Sequence, residues 1–173
     1  MANLVILNAD ELKALTPLER QAARRAARQR PLVRLILRTF LGQGGPISVQ
    51  DVVAASPDRH AEALQDALAT LDAEDIIRVR AGQIDVAYPF SAASTPFRVR
   101  LSRVRHRYAC CATDALGFAP MIGESVEISS SCHHCGDPLK FAVTPNGMGP
   151  EAEGVMVWFG KRGDEACKAF DSL

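Results

Sequence analysis

Cysteine is absent from the first 109 residues of this 173-residue chain. All five cysteines, Cys110, Cys111, Cys132, Cys135 and Cys167, fall in the remaining stretch. Net charge is absent too, since 20 Lys and Arg are matched by 20 Asp and Glu. That balance argues against bulk electrostatic binding to nucleic acid or to a membrane. No apolar run approaches the roughly 20 residues that a membrane helix needs. The opening MANLVILNADELK has too short an apolar part and no basic start, so it does not read as a signal peptide. A cytoplasmic protein with no membrane partner is expected. In that compartment, clustered cysteines mean free thiols, metal ligands or redox chemistry rather than a disulfide framework. A second Cys-x-x-Cys and a glycine-rich phosphate loop are also missing.

What is present suits a folded protein. Apolar residues make up 47% and charged residues 23%, enough to bury a core. The length fits one ordinary domain or two small ones. Charge is unevenly placed: residues 1–107 hold 16 basic against 11 acidic side chains, and residues 108–173 hold 4 against 9. The two halves can attract each other, or the basic half can meet an acidic partner.

Residues 9–30 read as a polar extension. Thr16 is a cap, Pro17 takes the first helical position and Glu19 the third. Arg24, Arg25, Arg28 and Arg30 make that helix basic nearly all round, which is usually a solvated face. Pro31 restarts the chain. Leu32, Val33, Leu35, Ile36, Leu37 and Phe40 form an apolar helix that ends at the breaker Gly42-Gln43-Gly44-Gly45-Pro46. A short helix follows, with Ser48 as cap and Asp51 at its third position. Ser56-Pro57-Asp58 caps another, through Leu71, with Ala61, Leu64, Leu68 and Leu71 at helical spacing. Ile76–Arg80 and Ile84–Tyr88 flank Ala81-Gly82-Gln83 as a hairpin. This is the winged-helix order, over residues 31–90. Its third helix would expose Asp58, Glu62, Asp66 and Asp72 against Arg59 and His60. Acid there repels phosphate, so a packing module is expected and a nucleic-acid partner is not.

Residues 89–96 read as a loop. Phe97 to Arg107 alternates Arg98, Arg100, Arg103, Arg105 and Arg107 with apolar residues, a strand with one break near Ser102; an ordinary solvated arginine face is favoured over an anion site, since no glycine loop accompanies it. Residues 108–119 read as a helix ending near Gly117-Phe118-Ala119-Pro120. Ser125–Ser130 and Leu139–Thr144 read as a hairpin with Cys132-x-x-Cys135 on its loop. Val155–Phe159 reads as a third, buried strand, and Asp164–Phe170 as a short helical piece holding Cys167. The expected class is α+β: an extension over 1–30, a helical winged-helix-like domain over 31–90, and a small thiol-bearing mixed domain with an antiparallel sheet over 91–173.

Two constellations carry chemistry. Cys111 and Asp114, at i and i+3, share one face if the stretch is helical. A carboxylate in so apolar a stretch is costly without a partner, and burial would raise its pKa, as suits a general acid. Cys110 and Cys111 cannot both face one way, so one belongs to the core and the other to function. Cys132-x-x-Cys135-Gly136 resembles half of a zinc ribbon. A closed Zn(II) site needs two more ligands. His133 and His134 would be strained as the third, and Cys110, Cys111 or Cys167 would have to be brought in by the fold. A reduced, free pair is the plain alternative.

Arg107-Tyr108-Ala109-Cys110-Cys111-Ala112-Thr113-Asp114-Ala115-Leu116-Gly117-Phe118 resembles the central motif of the alkylmercury (organomercurial) lyases, Tyr-Ala-x-Cys-Ala-x-Asp-x-Leu. Met121-Ile122-Gly123, the strand through Ile128, and Ser129-Ser130-Ser131-Cys132 follow at the family's spacing. The resemblance implies protonolysis of a carbon–mercury bond, giving hydrocarbon and thiol-bound Hg(II). It implies Cys111 as the thiolate that takes mercury and Asp114 as the proton carrier. No cofactor is required, and small thiols act as co-substrate. The substrate would be a small organometallic or other electrophile. Metal-binding candidates are Cys111, Cys132 and Cys135, with Cys110 in reserve, for Zn(II) or bound Hg(II). One departure stands out. The family's second, late cysteine falls near Glu153 or Gly154, neither a thiol. Cys132 matches a family cysteine regarded as structural, and Cys135 has no counterpart. The alternative is a winged-helix soft-metal or thiol-responsive binding protein (Zn, Cu or Hg) without lyase activity.

Overall fold

The computed structural model describes residues 10–11, 30–101 and 105–158. The cap and basic face expected over residues 16–29 and the helical piece around Cys167 lie outside the described residues.

Helix α1 (Arg30–Gln43) follows from the spacing of its apolar residues. Leu32, Ile36 and Phe40 are buried at successive i+4 positions. Strand β1 (Ile47–Ser48) leads directly into α2 (Val49–Ala54). As expected, Ser48 caps α2, its Oγ accepting from Gln50 N–H at 3.1 Å. Helix α3 (Ala61–Ala73) begins later than the sequence suggested. His60, not Ser56, holds its cap position, and no side chain caps it. Leu64, Ala67, Leu68 and Leu71 are its buried face. Asp58, Glu62 and Asp66 are exposed, but Asp72 is turned inward, accepting from Val79 N–H at 2.8 Å. Strands β2 (Ile77–Arg80) and β3 (Gln83–Ala87) pair antiparallel as expected. Ala81 and Gly82 both take positive φ, 48° and 74°, which suits a tight two-residue turn.

The stretch after the hairpin is not merely a loop. Phe90–Ser91 forms a short strand, β4, joining β3 to the strand His106–Ala109. Burial explains it: Phe90 is buried between Phe40 and Phe118, at ring-centroid distances of 5.8 and 4.7 Å. The arginine-rich strand is two strands, β5 (Arg98–Arg100) and β6 (His106–Ala109), paired antiparallel with Leu101 N–H on the Arg105 carbonyl. Their arginines are engaged within the fold. Arg100 makes a two-pronged pair with Glu127 at 2.9 and 2.8 Å. Arg107 donates to the Phe40, Leu41 and Gly42 carbonyls at the end of α1, at 2.7 to 2.8 Å for the shortest bond to each. Arg105 adds a bond to Gly42 at 2.9 Å. Helix ends leave such carbonyls unsatisfied, and cations are favoured there.

Helix α4 (Ala112–Ile122) packs on β5, β6, β7 (Val126–Ser131) and β8 (Pro138–Thr144). The described residues form one nine-stranded sheet, ordered β1-β3-β4-β6-β5-β7-β8-β9, with β2 also paired to β3. Strand β9 is Gly147–Met148, and a 3-10 turn spans Pro150–Ala152. The expected third strand is not formed over its described residues. Val155 to Trp158 are irregular, and Met156 and Trp158 are both 64% exposed. Among the described residues, no helix is long and apolar enough to cross a membrane.

Candidate active site

The motif that resembled a helix is a strand end, a two-residue break and a helix start. Strand β6 closes at Ala109, whose N–H meets the Phe97 carbonyl at 2.9 Å. Thr95 Oγ1 donates to the Ala109 carbonyl at 2.6 Å. Cys110 and Cys111 make the break. Cys110 faces the core, 3% exposed, its thiol donating to the Phe90 carbonyl at 3.3 Å. Burial pushes that thiol far above its ordinary value, with the Asp114 carboxylate adding to the effect, so Cys110 stays protonated.

Cys111 has extended backbone (φ −149°, ψ 179°) and is the N-cap of α4, not a residue of its first turn. Its relation to Asp114 is therefore that of a cap to the third helical position, not of two side chains on one helix face. The Cys111 sulfur accepts from Asp114 N–H at 3.4 Å. In return the thiol donates to Asp114 Oδ2 at 3.1 Å. Only the first of these is a capping bond, since the Asp114 carboxylate takes the Cys111 thiol where a capping box would take the cap's backbone N–H. Thr113 Oγ1 lies 2.9 Å from the same sulfur. The sequence reading passed over Thr113. Its signal was the hydroxyl at the second position after a cap, which only a correct helix start would have revealed. The helix also runs past its expected end. Gly117 and Pro120 lie inside it, and Gly123, at φ 72°, terminates it with its N–H on the Ala119 carbonyl. Proline comes late enough that only the last turn lacks its N–H.

Burial dominates the electrostatics of the pair. It pushes the Cys111 thiol above its ordinary value, with the Thr113 hydroxyl pulling the other way. It also raises the Asp114 carboxyl, against the opposing bonds from Cys111. The thiol hydrogen lies between sulfur and carboxylate in the 3.1 Å bond. A helix N-terminus favours negative charge at both positions, which keeps either atom able to lose that proton.

Cys132 and Cys135 lie at the β7–β8 hairpin tip, as expected. Ser131 pairs with Pro138 beneath them. Cys132 N–H bonds the Asp137 carbonyl at 2.8 Å, and Gly136 N–H bonds the Cys132 carbonyl at 2.9 Å. Gly136, at φ 77°, takes the left-handed position that this turn requires. Bonds from the Cys135 and His134 backbone N–H groups draw the Cys132 thiol below its ordinary value. Cys135 donates to Asp137 Oδ2 at 3.2 Å. Among the described residues no three His, Cys, Asp or Glu side chains gather as a metal site. Among the described residues the donor set falls short of a closed, four-ligand Zn(II) centre. All four described cysteines are free thiols.

Register relates the two thiol sites. Tyr108 of β6, Arg98 of β5 and Ser129 of β7 form one row. Strands β6 and β7 run the same way on either side of β5, and Cys111 and Cys132 each follow that row by three residues. Both sites therefore leave the same end of the sheet, on strands two spacings or about 10 Å apart. Glu153 and Gly154, where the resemblance seeks a late thiol, are exposed after the 3-10 turn.

Known proteins agree on one family. Residues 90–173 match the profile of MerB, alkylmercury lyase. An alkylmercury lyase of Staphylococcus epidermidis is 32% identical over 117 residues, 68% of this chain and 50% of that protein. One of Streptomyces lividans is 29% identical over 121 residues, 70% of this chain and 54% of its own. The chain thus spans about half the length of these curated relatives. In structure it is similar to the mercury-bound form of MerB2, with a TM-score of 0.60 and 20% identity over 77% of this chain and 66% of that one. That likeness bears on the fold, a mixed α+β arrangement with an antiparallel sheet. By its motif and these relatives, the chain belongs to the alkylmercury lyase family.

Proposed function

We propose that this chain cleaves the carbon–mercury bond of a small organomercurial bound as its thiolate complex. The observation that carries the reading is the 3.1 Å bond between Cys111 Sγ and Asp114 Oδ2 at the start of α4. A soft thiolate is the ligand Hg(II) favours, and a buried carboxylate is a proton carrier. The proton balance closes within the pair. As Cys111 sulfur binds the mercury of R–Hg–SR′, its proton passes to Asp114. Added sulfur donation makes the carbon more basic. Asp114 then delivers that proton to the carbon, and R–H leaves. The remaining species is R′S–Hg–S–Cys111, with no change in oxidation state. A second small thiol releases Hg(SR′)2 and restores the Cys111 thiol.

In this scheme the substrate's own thiolate supplies the second sulfur, in place of the late cysteine that residues 153–154 lack. Cys110 remains a packing residue, in keeping with its burial and its bond to Phe90. Thr113 orients the Cys111 sulfur. The residues before β4 act as a winged-helix packing module, a reading supported by the order α1-β1-α2-α3-β2-β3 and by the pairing of β1 with β3. The family favours this reading over a binding protein without lyase activity.

The test is benzene release from phenylmercury in excess small thiol. Wild type should turn over. Cys111→Ser should neither retain phenylmercury nor release benzene. Asp114→Asn should bind it but release benzene at least about 100-fold more slowly, the scale of a lost acid–base group. Phenylmercury bound stoichiometrically by wild type, with no benzene over hours, would sink the proposal.

A further inference from the structure

The hairpin-tip thiols take no part in the scheme above, yet their placement is specific. Cys132 and Cys135 are reduced, within a turn shaped by Gly136, and Cys135 already hands its thiol hydrogen toward Asp137. Cys135 is exposed and Cys132 partly so, so an incoming ion meets no barrier. Among the described residues the donor set is too small for a tetrahedral or octahedral cation, but two thiolates complete the coordination of a linear soft cation. The tip also lies at the same end of the sheet as Cys111.

We propose that Cys132 and Cys135 form a second site that chelates Hg(II) as a bis-thiolate and draws it away from Cys111. Its role as product acceptor rests on the lyase reading; chelation by itself does not. The exchange balances: Cys111–S–Hg–SR′ and two hairpin thiols give Cys132–S–Hg–S–Cys135, the Cys111 thiol and R′SH. Both protons come from the hairpin and end on Cys111 and on the small thiol, and nothing is oxidised. The second Hg–S bond is intramolecular, at an effective concentration of millimolar or more, so the pair outcompetes a monothiol at about 0.1 mM.

The experiment loads the full chain with one equivalent of HgCl2 in about 0.1 mM 2-mercaptoethanol and weighs the desalted protein by native mass spectrometry. The Cys111→Ser chain should keep one Hg(II). Adding Cys132→Ser or Cys135→Ser to it should cut retention by about tenfold or more, the loss of one arm of a chelate. Cys135 is exposed, and thermal unfolding of its variant checks that the fold is intact. A double variant that retains Hg(II) as the Cys111→Ser chain does would overturn the inference, as would a Cys111→Ser chain that retains none. Benzene release is scored separately. Intact chelation without benzene defeats the lyase reading alone, and benzene without chelation defeats this inference alone.

Discussion

At the scale of single residues, the decisive competition at Asp114 is between burial and the bonds from Cys111. Burial wins and raises its carboxyl. A carboxyl raised by folding contributes stability that is fully present below its unfolded value, about 3.9. That contribution is lost as pH rises through the folded value. Asp114→Asn removes the dependence. Urea unfolding of both chains between pH 3.5 and 8 should therefore show the variant gaining on wild type as pH rises, with the gap level at the acid end. A gap that shrinks with rising pH would mean that the bonds from Cys111 dominate instead. The same residue shows what spacing alone conveys. Cys111 and Asp114 were legible as a pair at i and i+3, but their geometry was not. An extended residue at 111 turns a shared helix face into a cap, and that depends on where β6 stops.

Among elements, the instructive contact is Arg107 on the end of α1. Its guanidinium meets three carbonyls from residues 40–42. Arg107→Ala leaves those acceptors short of donors and should cost about 1–3 kcal/mol in urea unfolding. Arg107→Lys should not restore it, because one ammonium cannot reproduce the planar fork. A loss under about 0.5 kcal/mol, the scatter of ordinary surface substitutions, would show that water replaces the arginine. The alternating arginines were legible as a strand, but the role of each was not. Partners such as Gly42 and Glu127 lie 65 and 27 residues away from Arg107 and Arg100, and no local pattern links them.

For the molecule as a whole, Phe90 joins what looked like two units. It stacks on Phe40 of α1, meets the edge of Phe118 of α4, and sits in the strand through which the one sheet runs from β3 to β6. Phe90→Ala should cost about 3–5 kcal/mol, the usual loss for a buried aromatic. The two flanking parts should then unfold less cooperatively. Circular dichroism and amide hydrogen exchange on either side of Phe90, coincident in wild type, should separate in the variant. Coincident curves in both chains, with a loss under about 1 kcal/mol, would mean that Phe90 only fills space.

The periodic elements were readable from composition and spacing because their causes are local. Apolar residues four apart make α1, a Ser-x-x-Asp cap starts α2, and alternation makes β7 and β8. The Cys111/Asp114 pair and the Cys132/Cys135 hairpin were readable for the same reason. Long-range packing settled the rest. It drew Phe90 into a strand between two aromatic rings, buried Cys110 while leaving Cys111 at a helix cap, and left Val155 to Trp158 out of the sheet. Those outcomes turn on which apolar surface finds a partner. Burial free energy is set by the assembled core, and no window of neighbouring residues contains it.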